Sequence, residues 1–227
     1  MQRVHSQLSQ LGVYAVAIAS GLTVALIAAR WIWLGKLIFA FLVWNLFLAW
    51  VPFVLGLLAL RLVGSSRSQP GVRLALIPLG LAWLTFLPNA PYMLTDLIHL
   101  TPRSGVPILF DAIMLGTAAA TGLLIGGVSM LHMQRALRPV LGRAGALISV
   151  AATGPLIGLG IYLGRDLRWN TWDLLVRPDD VMWSVVVRII DPLAHPRTWL
   201  VTLVCCAVVW VTWAAVGSLS ARSTRWT

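Results

Sequence analysis

The sequence predicts an all-α fold, a polytopic membrane helix bundle of about six transmembrane helices. The third helix should be broken by proline, and an interfacial helix should precede the last span. Three observations carry this. Hydrophobic residues make up 59% of the 227 residues and charged residues only 11%, against about 25% in soluble domains; the mean hydropathy is +0.87. The apolar residues fall into runs of roughly the 20 residues a helix needs to cross a bilayer core, and helix is the state that satisfies the backbone of an isolated run in lipid. All seven acidic residues are aspartates between Asp96 and Asp191, and the order of the runs puts every one of them on the same side of the membrane.

The first span covers 11–31. Arg3 followed by an apolar run and Ala17-Ile18-Ala19 has the outline of a cleavable signal, but the run continues through Ala29 and predicts an uncleaved helix. The second covers 37–60, and the third covers 72–87, ending where Pro88 disfavours helix at the residue before it. The fourth, fifth and sixth cover 107–133, 144–164 and 199–218. The connection 165–197 is too short and apolar for a soluble domain, so 1–227 reads as a single integral membrane domain. Within that connection 177–196 reads as an interfacial helix. Asp179 or Asp180 would cap it, Asp191-Pro192 would end it, and Val181, Met182, Val185, Val186 and Ile189 would face the bilayer.

The net charge of +10 comes without a basic stripe or a nucleic-acid reading motif, which excludes nucleic acid as a partner. Nine basic residues (Arg3, Arg61, Arg67, Arg73, Arg135, Arg138, Arg143, Arg222, Arg225) share one side with no acid; the other eight share a side with the seven aspartates. The excess of basic residues in the cytoplasmic loops of membrane proteins places both termini in the cytoplasm and the Asp-rich face outside. Trp31, Trp33, Trp169, Trp172, Trp183 and Trp199 gather near that face, at the depth amphipathic rings prefer. Cys205 and Cys206, adjacent in an apolar run, read as small core residues. Gly122/Gly126, Gly154/Gly158 and Gly160/Gly164 are pairs four apart, which lets backbones approach closely. They predict that spans four and five pack on each other, with a homodimer through the same faces as the alternative.

Two stretches concentrate chemistry. In the first, 87–100, Asn89 is placed to cap a short helix after the proline break, with Pro91 in its first turn. On that helix Tyr92, Asp96 and His99 share a face, four and three residues apart. Broken helices at membrane depth are tolerated where they are buried in protein or line a water-filled cavity. Asp96 and His99 are therefore the candidate catalytic pair, with His99 the natural acid–base group near neutral pH. With Asp111 they are also the weak candidates for a divalent metal, the one cofactor these residues raise; zinc takes three or four ligands. Set against this is a structural hydrogen-bonded network, and for Asp111 a carboxylate at the positive end of a helix.

In the second stretch, 160–173, continued helix would line Asp166, Asn170 and Asp173 on one face and Arg165, Arg168, Trp169 and Trp172 on the next. Arginines beside tryptophans suit a phosphate or sugar-bearing headgroup, against the blander reading of an anchoring belt. Asn45, in the second span, reads as interhelical glue.

"LPNAPYMLTDLIHL" and "GRDLRWNTWDLL" resemble the paired signatures of a bacterial family of multi-pass membrane proteins of unknown function, domain-of-unknown-function family 1361. The resemblance covers 37–213. It implies no activity that can be carried over. In the family's pattern an apolar residue often stands where this chain has Asp166, which ranks Asp166 below Asp96, His99 and Asp173.

The function these observations favour is an outward-facing polar pocket between the third-helix break and the end of the fifth span. It would bind, and on one view process, a lipid headgroup or small polar ligand through Asn89, Tyr92, Arg165, Arg168, Trp169, Asn170, Trp172 and Asp173. The alternatives are a transporter or channel-like protein, which predicts an internal repeat and ionisable groups at the midplane, and an accessory or assembly protein without a small-molecule site. No Walker loop, HExxH or GxSxG is present, so the sequence leaves open whether the protein is an enzyme.

Overall fold

The computed structural model describes residues 2–65, 70–103 and 105–223. Arg67 and Arg225 lie outside the described residues, and the side chains of Arg3 and Arg222 lie outside the described side chains. The chain forms α1 (Gln2–Leu34), α2 (Ala40–Ser65), α3 (Pro70–Phe86), the single turn α4 (Asn89–Tyr92) running into a 3-10 segment (Met93–His99), α5 (Ile108–Ala151), α6 (Thr153–Arg165), the turn α7 (Asp173–Val176), α8 (Pro178–Ile190) and α9 (Pro196–Ser223). Among the described residues there is no strand.

Five helical stretches are long and apolar enough to cross a membrane: Gly12–Leu34, Ala40–Gly64, Gly71–His99, Ile108–Arg165 and Pro196–Ala221. The protein is thus an all-α, multi-pass membrane bundle. The fourth stretch has 58 residues, about 87 Å at the helical rise, against a core of about 30 Å. It is interrupted at Gly142, whose φ of 72° and ψ of 177° are open to glycine because it has no Cβ. Predicted spans four and five are the two limbs on either side of this residue.

Helix α5 is the hub. It packs against α1, α2, α4, the 3-10 segment and α9, while α3 lies on α2 and α6 lies on α9. One core cluster, with Phe39, Leu42, Leu46, Met93, Met114 and Leu115, lies toward the Asp-rich end. The other, with Trp83, Leu87, Met130, Met133, Ile157 and Val209, lies farther down the bundle. Lipid is as apolar as leucine, so such a bundle relies on close backbone approach and buried polar links. Trp83 Nε1 donates to Ser129 Oγ (2.9 Å), and Ser129 Oγ donates to the Pro52 carbonyl (2.7 Å), tying α3, α5 and α2 together.

The glycine pairs pack inside the chain, but not as predicted. Added Cβ atoms would collide with Ala90 at Gly122, with Trp210 at Gly154 and with the Thr202 backbone at Gly158. At Gly160 one would meet Pro88, and at Gly164 Tyr92 at 3.2 Å. Small residues thus seat α5 on α4, and α6 on both α9 and α4, while spans four and five meet through larger side chains such as Met130, Met133, Val150 and Ile157.

The proline break is gentler than predicted, and Asn89 is not a cap. Pro88, in helical geometry (φ −59°, ψ −25°), precedes α4, and no side-chain cap forms. Span five does not continue as helix. Asp166 ends α6 and Arg168 adopts φ 60°; the chain turns back there, and the Trp169 amide donates to the Leu163 carbonyl (3.0 Å). The one-face alignment of Asp166, Asn170 and Asp173 is therefore lost. The interfacial segment forms α8, but Asp179 and Asp180 sit in its first turn without capping it. Its N-cap position is Arg177 and Pro178 opens it, so the two carboxylates act on the helix dipole. Asp191 ends it, and the Asp191 carboxylate accepts the Ala194 N–H (3.1 Å).

Candidate functional site

The 3-10 segment explains how Asp96 and His99 come to share a face. At three residues per turn, positions 93, 96 and 99 eclipse. Met93 and Asp96 are buried, His99 is half-buried, and Leu97 and Ile98 are exposed on the opposite side. Tyr92, in the preceding α-helical turn, joins the same cluster through Arg165.

Arg165, the last residue of α6, holds this segment. Its Nη2 donates to the Thr95 carbonyl (2.6 Å) and lies 3.4 Å from His99 Nε2. Its Nη1 reaches Asp96 Oδ1 (3.4 Å) and Tyr92 Oη (3.5 Å). A guanidinium only donates, so any hydrogen bond at this contact has His99 Nε2 as its acceptor. On α2, Asn45 Nδ2 donates to the other Asp96 oxygen (2.8 Å), and Phe41 packs against the His99 ring (4.9 Å between centroids, 59° apart). Asp96 is 1% exposed, and both of its oxygens are engaged. The pair and Arg165 are brought together as the spacing suggested, but as a closed network.

Asp111 belongs to a second network. It accepts from Arg30 Nε (2.6 Å) and Nη2 (3.1 Å), with Arg103 Nη1 at 3.6 Å. Both guanidiniums lie over Phe39, at 4.5 and 5.0 Å. The buried Arg30 Nη1 has no hydrogen-bond partner, and the ring's negative face is the nearby group that can accommodate it. Arg103 also donates to the His99 carbonyl (3.0 Å), which joins the two networks. The candidate metal set therefore does not assemble: Asp111 is committed to arginine, and among the described residues no three His, Cys, Asp or Glu side chains converge as metal ligands.

Beside the first network lies a cavity of about 390 Å³ between α2, α3, α4, α6 and the loop leading into α7. Five of the eight sequence-predicted ligand-binding residues line it: Asn89, Tyr92, Trp169, Asn170 and Trp172. Arg165, Arg168 and Asp173 are not in its wall, nor are Asp96 and His99. Arg168 is exposed on its turn. Asp173 is buried and structural, accepting the Asn170 amide (2.7 Å) and Asn170 Nδ2 (3.4 Å), with Arg177 at 3.7 Å. Asp166 pairs with Arg197 (2.6 Å).

The wall residues that sequence reasoning missed include the polar or aromatic side chains Trp44, Asn45, Thr85 and Thr171. Asn45 is the sixth residue of α2, not a midspan position; it is interhelical glue and also lines the cavity. An amide beside a tryptophan near the start of a span was its only signal. Asn89 Nδ2 donates to the carbonyl of Phe86 (2.9 Å), freed by the break, and to Thr171 Oγ1 (3.2 Å). Arg30 was missed as well; its signal was an arginine still inside an apolar run, where a counter-charge must come from another helix.

No curated protein and no solved structure matches the chain. The family model described as Protein of unknown function (DUF1361) matches residues 44–212. That range contains both long motifs and every residue of the cavity wall. An integral membrane bundle with this match, three quarters of its length, belongs to the DUF1361 family.

Proposed function

We propose that the Asp-rich end faces outward from a bacterial inner membrane, with both termini in the cytoplasm, and that the cavity binds a lipid headgroup or another small polar ligand. The observation that carries this is the cavity itself. Its volume of about 390 Å³ falls within the range of about 300–1,000 Å³ seen in small-molecule sites. Its wall combines apolar and aromatic side chains with a few polar groups, the composition such sites have. Asp96, His99 and Arg165 act from behind this wall. They hold Asn45 and Tyr92 in place, and a ligand meets the charged network only through those two side chains.

The test uses Thr85, which lines the cavity and bonds only to its own helix (Leu81 carbonyl, 3.0 Å). Thr85→Trp fills the space without touching the charged network. Mass spectrometry of molecules co-purifying with wild type should show a species depleted in Thr85→Trp. Equal retention by both proteins would remove the cavity as the binding site.

A further inference from the structure

We propose that the ligand of this cavity is an amphiphile with an uncharged, hydroxyl-rich head, of the sugar-lipid class, and not a phosphate-bearing one. This rests on the cavity being a binding site. No charged side chain lines the cavity. Three of its polar residues are Asn45, Asn89 and Asn170, and each engages its amino group with a protein acceptor. Asn45 donates to the Asp96 carboxylate, Asn89 to the Phe86 carbonyl and Thr171, and Asn170 to the Asp173 carboxylate. Carboxylates and carbonyls accept only, so these amide orientations follow from the partners. The amide oxygens of the three asparagines share the wall with the hydroxyls of Tyr92 and Thr171 and the indole N–H groups of Trp44, Trp169 and Trp172, so the wall mixes uncharged acceptors and donors. Such a wall suits hydroxyls, which both donate and accept, and it offers a phosphate no cationic side chain.

A cationic head is disfavoured by a separate observation. Two of the wall's rings already carry a guanidinium: Arg165 lies over Tyr92 at 5.6 Å, and Arg177 over Trp169 at 5.0 Å. A ligand ammonium would share those rings with a like charge. A hydroxyl-rich head meets neither objection, and the C–H face of a sugar ring packs on exposed aromatic surface such as Trp172, which is 48% exposed.

The apolar part of the wall supplies the tail site. Helix α2 starts at the Asp-rich end, and α3 and α6 finish there, so Leu48, Leu84, Leu156 and Leu159 lie about a turn or more deeper than Asn45, Pro88 and Leu163. Polar wall at the interface and leucine wall at depth give the polarity order of a lipid in its leaflet.

Native mass spectrometry of the detergent-purified protein tests this. The protein is offered equal amounts of monoglucosyl-diacylglycerol, phosphatidylglycerol and phosphatidylcholine with the same acyl chains, and methyl glucoside separately. The glucosyl lipid should be retained about tenfold more than either phospholipid, a margin of roughly 1.4 kcal/mol. The preference should fall in both Thr85→Trp and Asn170→Leu. Phospholipid retained equally, and lost in Thr85→Trp, overturns the head class but leaves the cavity as the site. No lipid sensitive to Thr85→Trp overturns the cavity itself. Methyl glucoside bound as well as the glucosyl lipid overturns the lipid source.

Discussion

Arg30 and Asp111 are joined by two hydrogen bonds, and each side chain is 2% exposed. Removing Arg30 leaves the buried Asp111 with only the longer contact to Arg103 (3.6 Å), and breaking a buried pair costs up to about 3–5 kcal/mol. Arg30→Met should therefore lower the thermal unfolding midpoint of the detergent-solubilised protein sharply. Arg30→Met with Asp111→Leu should lower it less, since neither charge is then stranded; a double variant as unstable as the single would show that the ion pair is not the source of the loss. Arg168 is the opposite case. Its φ of 60° costs a non-glycine residue roughly 1–2 kcal/mol, its side chain is exposed and it is absent from the cavity wall. Arg168→Gly should keep or raise the unfolding midpoint and leave the retention of lipid unchanged. A fall in retention would restore Arg168 to the site. From sequence Arg165 and Arg168 look equivalent, three residues apart beside tryptophans. Only the turn of the chain after Asp166 separates a clamp from a surface residue.

At the scale of elements, the site depends on a change of helical period. Through α3 and α4 the chain has about 3.6 residues per turn, and from Met93 to His99 it tightens to three. That change aligns Met93, Asp96 and His99 and presents them to Arg165. The face-sharing of Asp96 and His99 was legible from a spacing of three, which serves both helix types. The tightening was not, because it depends on Arg165 binding the Thr95 carbonyl from a distant helix. Glycines offer a sharper test. A Cβ at Gly158 collides with the Thr202 backbone, which cannot swing aside, whereas one at Gly80 meets nothing within 4 Å. Gly158→Ala should lower the unfolding midpoint by separating α6 from α9, a loss of about 1–3 kcal/mol. Gly80→Ala should hold or raise it, since alanine gains about 1 kcal/mol over glycine within a helix. Equal effects at the two positions would contradict the packing described for α6 and α9.

For the whole molecule, polarity is concentrated at one end. All five ion pairs among the described residues use Asp96, Asp111, Asp166 or Asp173. They bind the end of α1 to the start of α5, the 3-10 segment to the end of α6, and the end of α6 to the start of α9. Six crossings require loops 35–39 and 166–195 on one side and both termini on the other. Under the proposed orientation, a reporter active in the cytoplasm should work when fused to the C-terminus. A periplasmic reporter should work when placed in 35–39. A C-terminal fusion active outside would invert the orientation, and reporters on the same side would break the six-span topology.

The sequence by itself determined the class of fold, the number of crossings and the end at which the chemistry collects. Each of these follows from a cost that lipid imposes on every residue separately, a charge or an unbonded backbone group at depth. It also placed five wall residues in two motifs. Which face of each helix meets a neighbour, and which polar groups remain for a ligand, were decided by the tertiary structure alone. In a membrane both faces of a helix are apolar, so periodicity does not mark the inner one. Asn45 and Asp96, and Arg30 and Asp111, become partners only once α2, the 3-10 segment, α1 and α5 are packed. That packing turns Arg165 from a candidate anion holder into a clamp and leaves a cavity wall without a charged side chain.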